Sequence, residues 1–108
     1  MAKLEKRIKG NFEEIIKNIE DGILSGSISA SLEGMSDFKN GKSRCSVRVF
    51  ERYSVIGSNR VSLNVTLFQN NDSEIYVSAI TSGGSQGVFF KINTFGEEAF
   101  LDKLEEIL

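Results

Sequence analysis

The central part of the chain alternates between apolar and polar residues with a period of two, which is typical of half-buried β-strands. Strands are predicted over Ser27–Glu33, Ser43–Val55, Arg60–Phe68, Ile75–Ile80 and Val88–Ile92. Turn-forming residues separate these segments, beginning with Asn40-Gly41. Because such turns are short, neighbouring strands must run antiparallel, and the pattern predicts a meander.

A helix is predicted near the start of the chain. Asn11 and Glu14 have the spacing of a capping box, and the apolar stripe that follows predicts a helix from Phe12 to about Ile23. The preceding segment, Lys3–Lys9, fits either a strand or an extension of this helix. We favour the strand, because Gly10 inside a helix would cost about 1 kcal/mol relative to alanine.

A second helix is predicted to close the chain, where Thr94 and Glu97 form another capping-box pattern before an apolar face. The predicted order is β-α-β-β-β-β-β-α. It corresponds to a single α+β domain over residues 1–108, in which two helices cover one face of an antiparallel sheet of five to six strands. This order resembles the TBP-like or helix-grip architecture, a likeness that carries no function by itself.

Alternation assigns faces to the two longest strands. The expected inward residues of Ser43–Val55 are Cys45, Val47, Val49, Glu51, Tyr53 and Val55, and those of Arg60–Phe68 are Val61, Leu63, Val65 and Leu67. The opposite side then carries a mixed set, the predicted Arg/Phe face, consisting of Arg44, Arg48, Phe50, Arg52, Arg60 and Phe68. Three interpretations are open: a solvated surface, a homodimer or protein interface, and a surface for single-stranded nucleic acid.

An inward carboxylate beside a tyrosine suggests a second kind of site. Glu51 and Tyr53 could be polar groups of a small-ligand cavity beneath a helix, because a buried carboxylate must be paired or protonated. The alternative is that Glu51 lies near a strand end, where the sheet twists towards solvent.

The segment Thr81–Gly87 is rich in glycine and hydroxyl groups and is expected to be a hairpin loop joining two strands. Its candidate ligand-binding residues are Thr81, Ser82, Gly83, Gly84, Ser85 and Gln86. Backbone N–H groups and hydroxyls of such a loop could donate to an anion. The loop lacks the lysine and the following helix of a phosphate-binding P-loop.

Composition narrows the chemistry. The chain of 108 residues has no histidine, a single cysteine, Cys45, and a formal net charge of −2. The lack of histidine removes the Ser-His and Cys-His nucleophile pairs, so we expect no enzyme, cofactor or metal site. The net negative charge disfavours nucleic acid as a partner. With no leader, no apolar run near the ~20 residues of a membrane span and one cysteine, a cytoplasmic, membrane-free protein is expected.

Several segments resemble those of a family of small bacterial proteins classed as a domain of unknown function. They are Gly57–Val65, Ala79–Ser85 and Phe90–Glu97. The resemblance covers nearly the whole chain and implies a bacterial, single-domain, cytoplasmic protein. It brings no catalytic residues.

Overall fold

A computed structural model describes residues 1–54, 59–83 and 90–108. The elements are β1 (Ala2–Lys9), α1 (Phe12–Gly26), β2 (Ser31–Asn40), β3 (Ser43–Ser54), β4 (Asn59–Gln69), β5 (Glu74–Gly83) and α2 (Phe90–Ile107). The five strands form one antiparallel sheet in the order β1-β5-β4-β3-β2. The predicted α+β class, with an antiparallel sheet and two helices, is confirmed.

The N-terminal strand and the first helix cap agree with the sequence-based predictions. Lys3–Lys9 belongs to a strand and pairs with β5. Gly10 has a φ of +149°, a value that side chains disfavour, and it separates the strand from the helix. The side-chain Oδ1 of Asn11 then accepts a hydrogen bond of 2.9 Å from the backbone N–H of Glu14, which satisfies a donor that the helix leaves free.

The boundaries of the second strand differ from the prediction. Helix α1 continues to Gly26, and β2 starts at Ser31 instead of Ser27 and runs on to Asn40. A β-bulge at Glu33 shifts the pairing with β3 between Leu32 and Gly34. Alternation had located a strand here, but helix propagation in α1 and the bulge set its limits.

The predicted strand over Val88–Ile92 is wrong for Phe90–Ile92, which form the first turn of α2. Val88 and Phe89 lie outside the described residues. Thr94 is therefore inside the helix and does not cap it. A short apolar run fits a strand and a buried helix equally well, so periodicity alone could not separate them.

Both helices cover the same face of the sheet. The buried core contains apolar residues of α1, α2 and the middle strands: Phe12, Ile16, Ile19, Ile23, Phe50, Val61, Leu63, Val65, Leu67, Ile75, Val77, Ala79, Phe100 and Leu104. The inward assignment of β4 is confirmed, because its four predicted inward residues are fully buried. The opposite side of the sheet, which we call the open face, has no covering element among the described residues.

Candidate interaction surface

The predicted Arg/Phe face is not a single surface, because the faces of β3 are the reverse of those expected. Phe50 is fully buried and pairs with Leu63, an inward residue of β4. Since neighbours across a strand pair share a face, the even-numbered residues of β3 point towards the helices. Arg44, Arg48 and Arg52 therefore lie under the helix layer, and only Arg60 and Phe68 of the predicted set lie on the open face.

Arg48 lies between sheet and helix in a network of ion pairs. Its side chain is only 6% exposed, and its Nε donates to Glu20 of α1 at 2.7 Å while Nη1 donates to Asp37 of β2 at 3.0 Å. Although burial disfavours the charged form, the hydrogen bonds to Glu20 and Asp37 raise the pKa of Arg48. The pKa of Asp37 is lowered mainly by the hydrogen bond that Ser46 donates to it and, to a smaller extent, by the hydrogen bonds from Arg48. The network ties α1 to β2 and β3.

The other two arginines lie over aromatic rings. The guanidinium carbon of Arg44 is 4.3 Å from the ring centroid of Phe12, and that of Arg52 is 4.5 Å from the centroid of Phe100. Burial lowers the pKa of Arg52. These stems cover core residues, as long cationic side chains often do. Three arginines that the sequence suggested for a partner thus hold the two layers together.

The open face carries a row of residues that runs across all five strands. In β-strand register, Phe38 faces Cys45, Cys45 faces Phe68, Phe68 faces Tyr76 and Tyr76 faces Arg7. The ring centroids of Phe68 and Tyr76 are 6.3 Å apart, and the guanidinium carbon of Arg7 lies 5.7 Å from the centroid of Tyr76. Aromatic groups in mutual contact therefore lie on an uncovered side of the sheet. We call this set the aromatic row.

Further apolar residues extend the row along the face. Phe38 is 72% exposed, and Phe68, Tyr76, Ile80 and Tyr53 are between 41% and 45% exposed. Beside the row is a shallow depression of about 590 Å³, lined by Glu5, Lys6, Arg7, Thr66, Phe68, Tyr76, Val77 and Ser78. The depressions that border the helices are smaller, about 110 and 180 Å³, below the roughly 300 Å³ of typical ligand pockets.

The predicted cavity groups Glu51 and Tyr53 also lie on the open face, so their inward assignment is wrong. Glu51 accepts a hydrogen bond from Nε of Arg60 at 3.0 Å. The backbone N–H of Tyr53 donates to the hydroxyl of Ser29 at 3.0 Å. Both residues are displaced from the helix side by the same reversal of parity that buries Phe50. They are therefore surface groups beside the aromatic row and do not line a cavity beneath a helix.

The described part of the glycine-rich segment belongs to strand β5 and not to a loop. Thr81 is fully buried, and its hydroxyl lies 3.3 Å from the backbone nitrogen of Ala2, which donates to it. The hydroxyl of Ser82 lies 2.8 Å from that of Ser62, and Gly83 pairs with Val61. Thr81 and Ser82 thus have partners within the sheet. The other candidates, Gly84, Ser85 and Gln86, lie outside the described residues.

Charge on the open face is nearly balanced. The basic residues are Lys3, Arg7, Lys9 and Arg60, and the acidic ones are Glu5, Glu51, Glu74 and the bulge residue Glu33, which accepts a hydrogen bond from Ser31. Two opposite pairs are in contact: Lys3 with Glu5 at 3.0 Å, and Arg60 with Glu51 at 3.0 Å. Of the four arginines predicted for this surface only Arg60 lies on it, because the other three point to the helices.

Sequence reasoning missed Phe38, Tyr76 and Ile80 as surface residues. Phe38 fell outside the predicted strands. Tyr76 and Ile80 lie in a segment, Ile75–Ile80, in which all three odd positions are apolar and Ser78 is the only clearly polar residue at an even position. The apolar character of both faces was the available signal, since a strand with one wet face would carry mostly polar residues on that face.

Fold and surface together define a small α+β domain with helices on one side and an uncovered, partly aromatic sheet face on the other. Within the described residues, no helix has the length and apolar content needed to cross a bilayer. In the same part of the chain, no three histidine, cysteine or acidic side chains cluster as metal ligands.

The chain belongs to DUF6054, a family of unknown function, whose model matches residues 1–108. No curated protein and no solved structure matches the chain.

Proposed function

We propose that this protein is a non-enzymatic interaction domain that forms a homodimer by packing the open face of one copy against that of a second copy. The observation that carries the proposal is the aromatic row with its apolar neighbours, whose exposed fractions range from 41% to 72%. A contiguous apolar patch on a soluble domain typically marks an interaction site. Tyrosine and phenylalanine are also enriched at protein interfaces.

The size of the face suits a stable dimer. The sheet has five strands of about ten residues each. At about 3.3 Å per residue and about 4.8 Å between strands, its face has an area of about 800 Å². A standard protein–protein interface buries about 800 Å² on each partner. Two sheets can pack in this way at about 10 Å, with side chains of the two faces interleaved.

The charge balance favours a second copy over a polyanion. A face with basic and acidic residues in nearly equal number does not repel itself, and in a two-fold arrangement its residues can meet partners of opposite sign. Tracking of nucleic-acid phosphates requires a basic surface instead. Arg7 and Arg60 remain on the open face, where Glu51 pairs with Arg60 and Glu5 pairs with Lys3.

The non-enzymatic assignment is supported by the sequence. A chain without histidine lacks the residue that most often transfers protons in catalysis. Among the described residues, the buried ion pairs of Arg48 join α1 to the sheet, and the buried carboxylate of Glu97 joins α2 to the N-terminal amine of Met1.

Sedimentation equilibrium of the wild type and of the double variant Phe68→Ser/Tyr76→Ser tests the proposal. We expect the wild type to be dimeric and the double variant to dissociate at least tenfold more readily, since a central aromatic pair is lost. Ile28→Ser is the matched control, because Ile28 is fully exposed and lies outside the sheet. A monomeric wild type, or a dimer that the double variant leaves intact, would contradict the proposal.

A further inference from the structure

The depression of about 590 Å³ on the open face lies where two neighbouring rows of side chains differ in size. Across β1, β5 and β4 the row of large side chains consists of Arg7, Tyr76 and Phe68, and the row beside it consists of Glu5, Ser78 and Thr66. The small hydroxyl residues next to the large rings leave the depression. Its volume falls within the range of about 300–1,000 Å³ that is typical of small-molecule sites.

Arg7 provides this depression with a cation that has no carboxylate partner. Among the described residues, Arg7 takes part in none of the ion pairs. Its guanidinium carbon lies 5.7 Å from the ring centroid of Tyr76. A guanidinium over a ring directs its N–H donors within its own plane, so they stay available to an anion.

Phe68 and Tyr76 form an apolar wall next to that cation. Their ring centroids are 6.3 Å apart and their planes are inclined by 41°, so the two rings make an angled surface. The ring of a ligand can pack on such a surface at centroid distances of about 4.5–7 Å. Cation and rings therefore border the same space.

We infer that the depression binds a small aromatic monocarboxylate, with its ring against Phe68 and Tyr76 and its carboxylate on Arg7. Arginine holds a carboxylate through two parallel N–H···O hydrogen bonds, which fix its orientation. The hydroxyl groups of Ser78 and Thr66 line the same depression and can hydrogen-bond to polar substituents of the ring.

The other charges around the depression fit a ligand with a single negative charge. Lys6 is a lining residue, but its Nζ lies 4.0 Å from a carboxylate oxygen of Glu105 on α2. Glu5 is also a lining residue, and it pairs with Lys3 at 3.0 Å. One unpaired guanidinium with a carboxylate nearby favours a monocarboxylate over a polyanion, which requires several cations.

The site does not depend on the proposed homodimer, because all of its lining residues belong to one copy. The depression extends to β1, which is an edge strand of the sheet. A ligand can therefore enter from the side when a second copy covers the open face. Ligand binding and dimer formation are separate properties, and each has its own measurement.

Titration with three probes, followed by amide chemical shifts in NMR spectra, tests the inference. Phenylacetate has a ring and a charge, phenylacetamide has the ring alone, and acetate has the charge alone. For a ligand of about ten non-hydrogen atoms we expect phenylacetate to bind with a Kd of about 1 mM. Phenylacetamide should bind about fivefold more weakly through loss of the ion pair, and acetate more than about tenfold more weakly through loss of the ring. The shifted amides should cluster around Arg7, Tyr76 and Ser78.

Arg7→Gln gives a readout that is specific for the charge. It should weaken phenylacetate binding about fivefold and leave phenylacetamide binding unchanged, so that the two probes bind equally well. Lys9→Gln is the matched control, because it removes the same charge from the same face of β1 at a position that does not line the depression. This control should keep the preference for phenylacetate.

Three results would overturn the inference. They are equal binding of phenylacetate and phenylacetamide to the wild type, a preference for phenylacetate that persists in Arg7→Gln, and amide shifts confined to the helices. A preference lost equally in Arg7→Gln and Lys9→Gln would also overturn it, because net charge and not the site would then be responsible.

Sedimentation equilibrium of the same samples separates this inference from the proposed function. A monomer that binds phenylacetate with the expected preference would contradict the proposed homodimer alone. A dimer that does not bind phenylacetate would overturn the ligand site alone.

Discussion

Phe50 and Phe68 give a direct test of the side-chain arrangement, because they are the same residue type on neighbouring strands and point to opposite faces. Phe50 is fully buried against Leu63, whereas Phe68 is 41% exposed on the open face. Sequence alternation alone predicts instead that Phe50 lies on the same face as Phe68. Phe50→Ala and Phe68→Ala should therefore differ widely in their effect on the free energy of unfolding.

The expected magnitudes follow from burial. Truncation of a fully buried phenylalanine to alanine costs about 3–5 kcal/mol, the sum of lost apolar transfer and the cavity that remains. A domain of this size has a total stability of about 5–15 kcal/mol. Phe68→Ala removes a partly buried ring and its contact with the ring of Tyr76, at a centroid distance of 6.3 Å. It should therefore lower the free energy of unfolding by about 1 kcal/mol. Phe50→Ala thus removes a large part of the stability, and Phe68→Ala does not.

Thermal and urea unfolding followed by circular dichroism measure the difference. For a domain near 100 residues, 1 kcal/mol corresponds to about 4 °C in Tm, so Phe50→Ala should lower Tm by about 12–20 °C. Each variant should be measured at two protein concentrations, because loss of a dimer contact at Phe68 lowers the apparent stability in a concentration-dependent way. The values to compare are the changes in the free energy of unfolding that do not depend on protein concentration.

The reasoning fails if Phe50→Ala costs less than about 1 kcal/mol, since no fully buried phenylalanine is that cheap to remove. Equal costs for the two variants would also refute it, because the faces of β3 and β4 would then not be distinguished. An unfolded Phe50→Ala protein beside a folded Phe68→Ala protein agrees with the expectation. Phe50→Leu, which keeps most of the apolar volume, should then recover a folded protein.

Three further predictions concern the helices and the ion-pair network. Asn11→Ala should lower stability by about 1 kcal/mol in urea unfolding through loss of the helix cap, and an unchanged midpoint would contradict the cap. Replacement of a helical glycine by alanine normally stabilises a protein by about 1 kcal/mol. Gly22→Ala should lack this gain, because a Cβ at Gly22 would lie 2.5 Å from Cδ1 of Ile107. The gain should return in an Ile107→Ala background, and a gain in both backgrounds would exclude the close contact. Because the pKa of Asp37 is lowered in the folded protein, the ionised carboxylate stabilises the fold at pH values above the ordinary pKa of aspartate, and this contribution is lost as the pH falls through the folded-state pKa. Asp37→Asn should therefore flatten the acid side of a curve of stability against pH, and an unchanged curve would exclude this stabilising role of Asp37.

The parts of the fold predicted correctly are those in which one local pattern determines the answer. In β4 every second residue is a large aliphatic and the rest are mostly polar, so the face was unambiguous. At the start of α1 the cap, the glycine before it and the apolar stripe all agree. Each of these features depends only on residues close in sequence.

The faces of β3 could not be settled in this way. Cys45, Val47 and Val49 alternate with two arginines and a serine, so apolar content favours the wrong side. The deciding contacts are tertiary: Glu20 of α1 receives Arg48, and rings of both helices receive Arg44 and Arg52. A guanidinium is stable beneath a helix only if that helix supplies a carboxylate or an aromatic ring. The candidate surface was mislocated for the same reason.

The sheet order has a consequence for how the chain reaches its native state. Strands β2 to β5 are joined to their neighbours in sequence, and their pairing needs only short loops to close. Strand β1 pairs with β5, and Ala2 lies opposite Thr81. This pairing closes a loop that includes most of the chain, so its entropic cost comes before its contacts form. We therefore expect the meander to form first. Strand β1 should then be added last, after the rest of the sheet has formed.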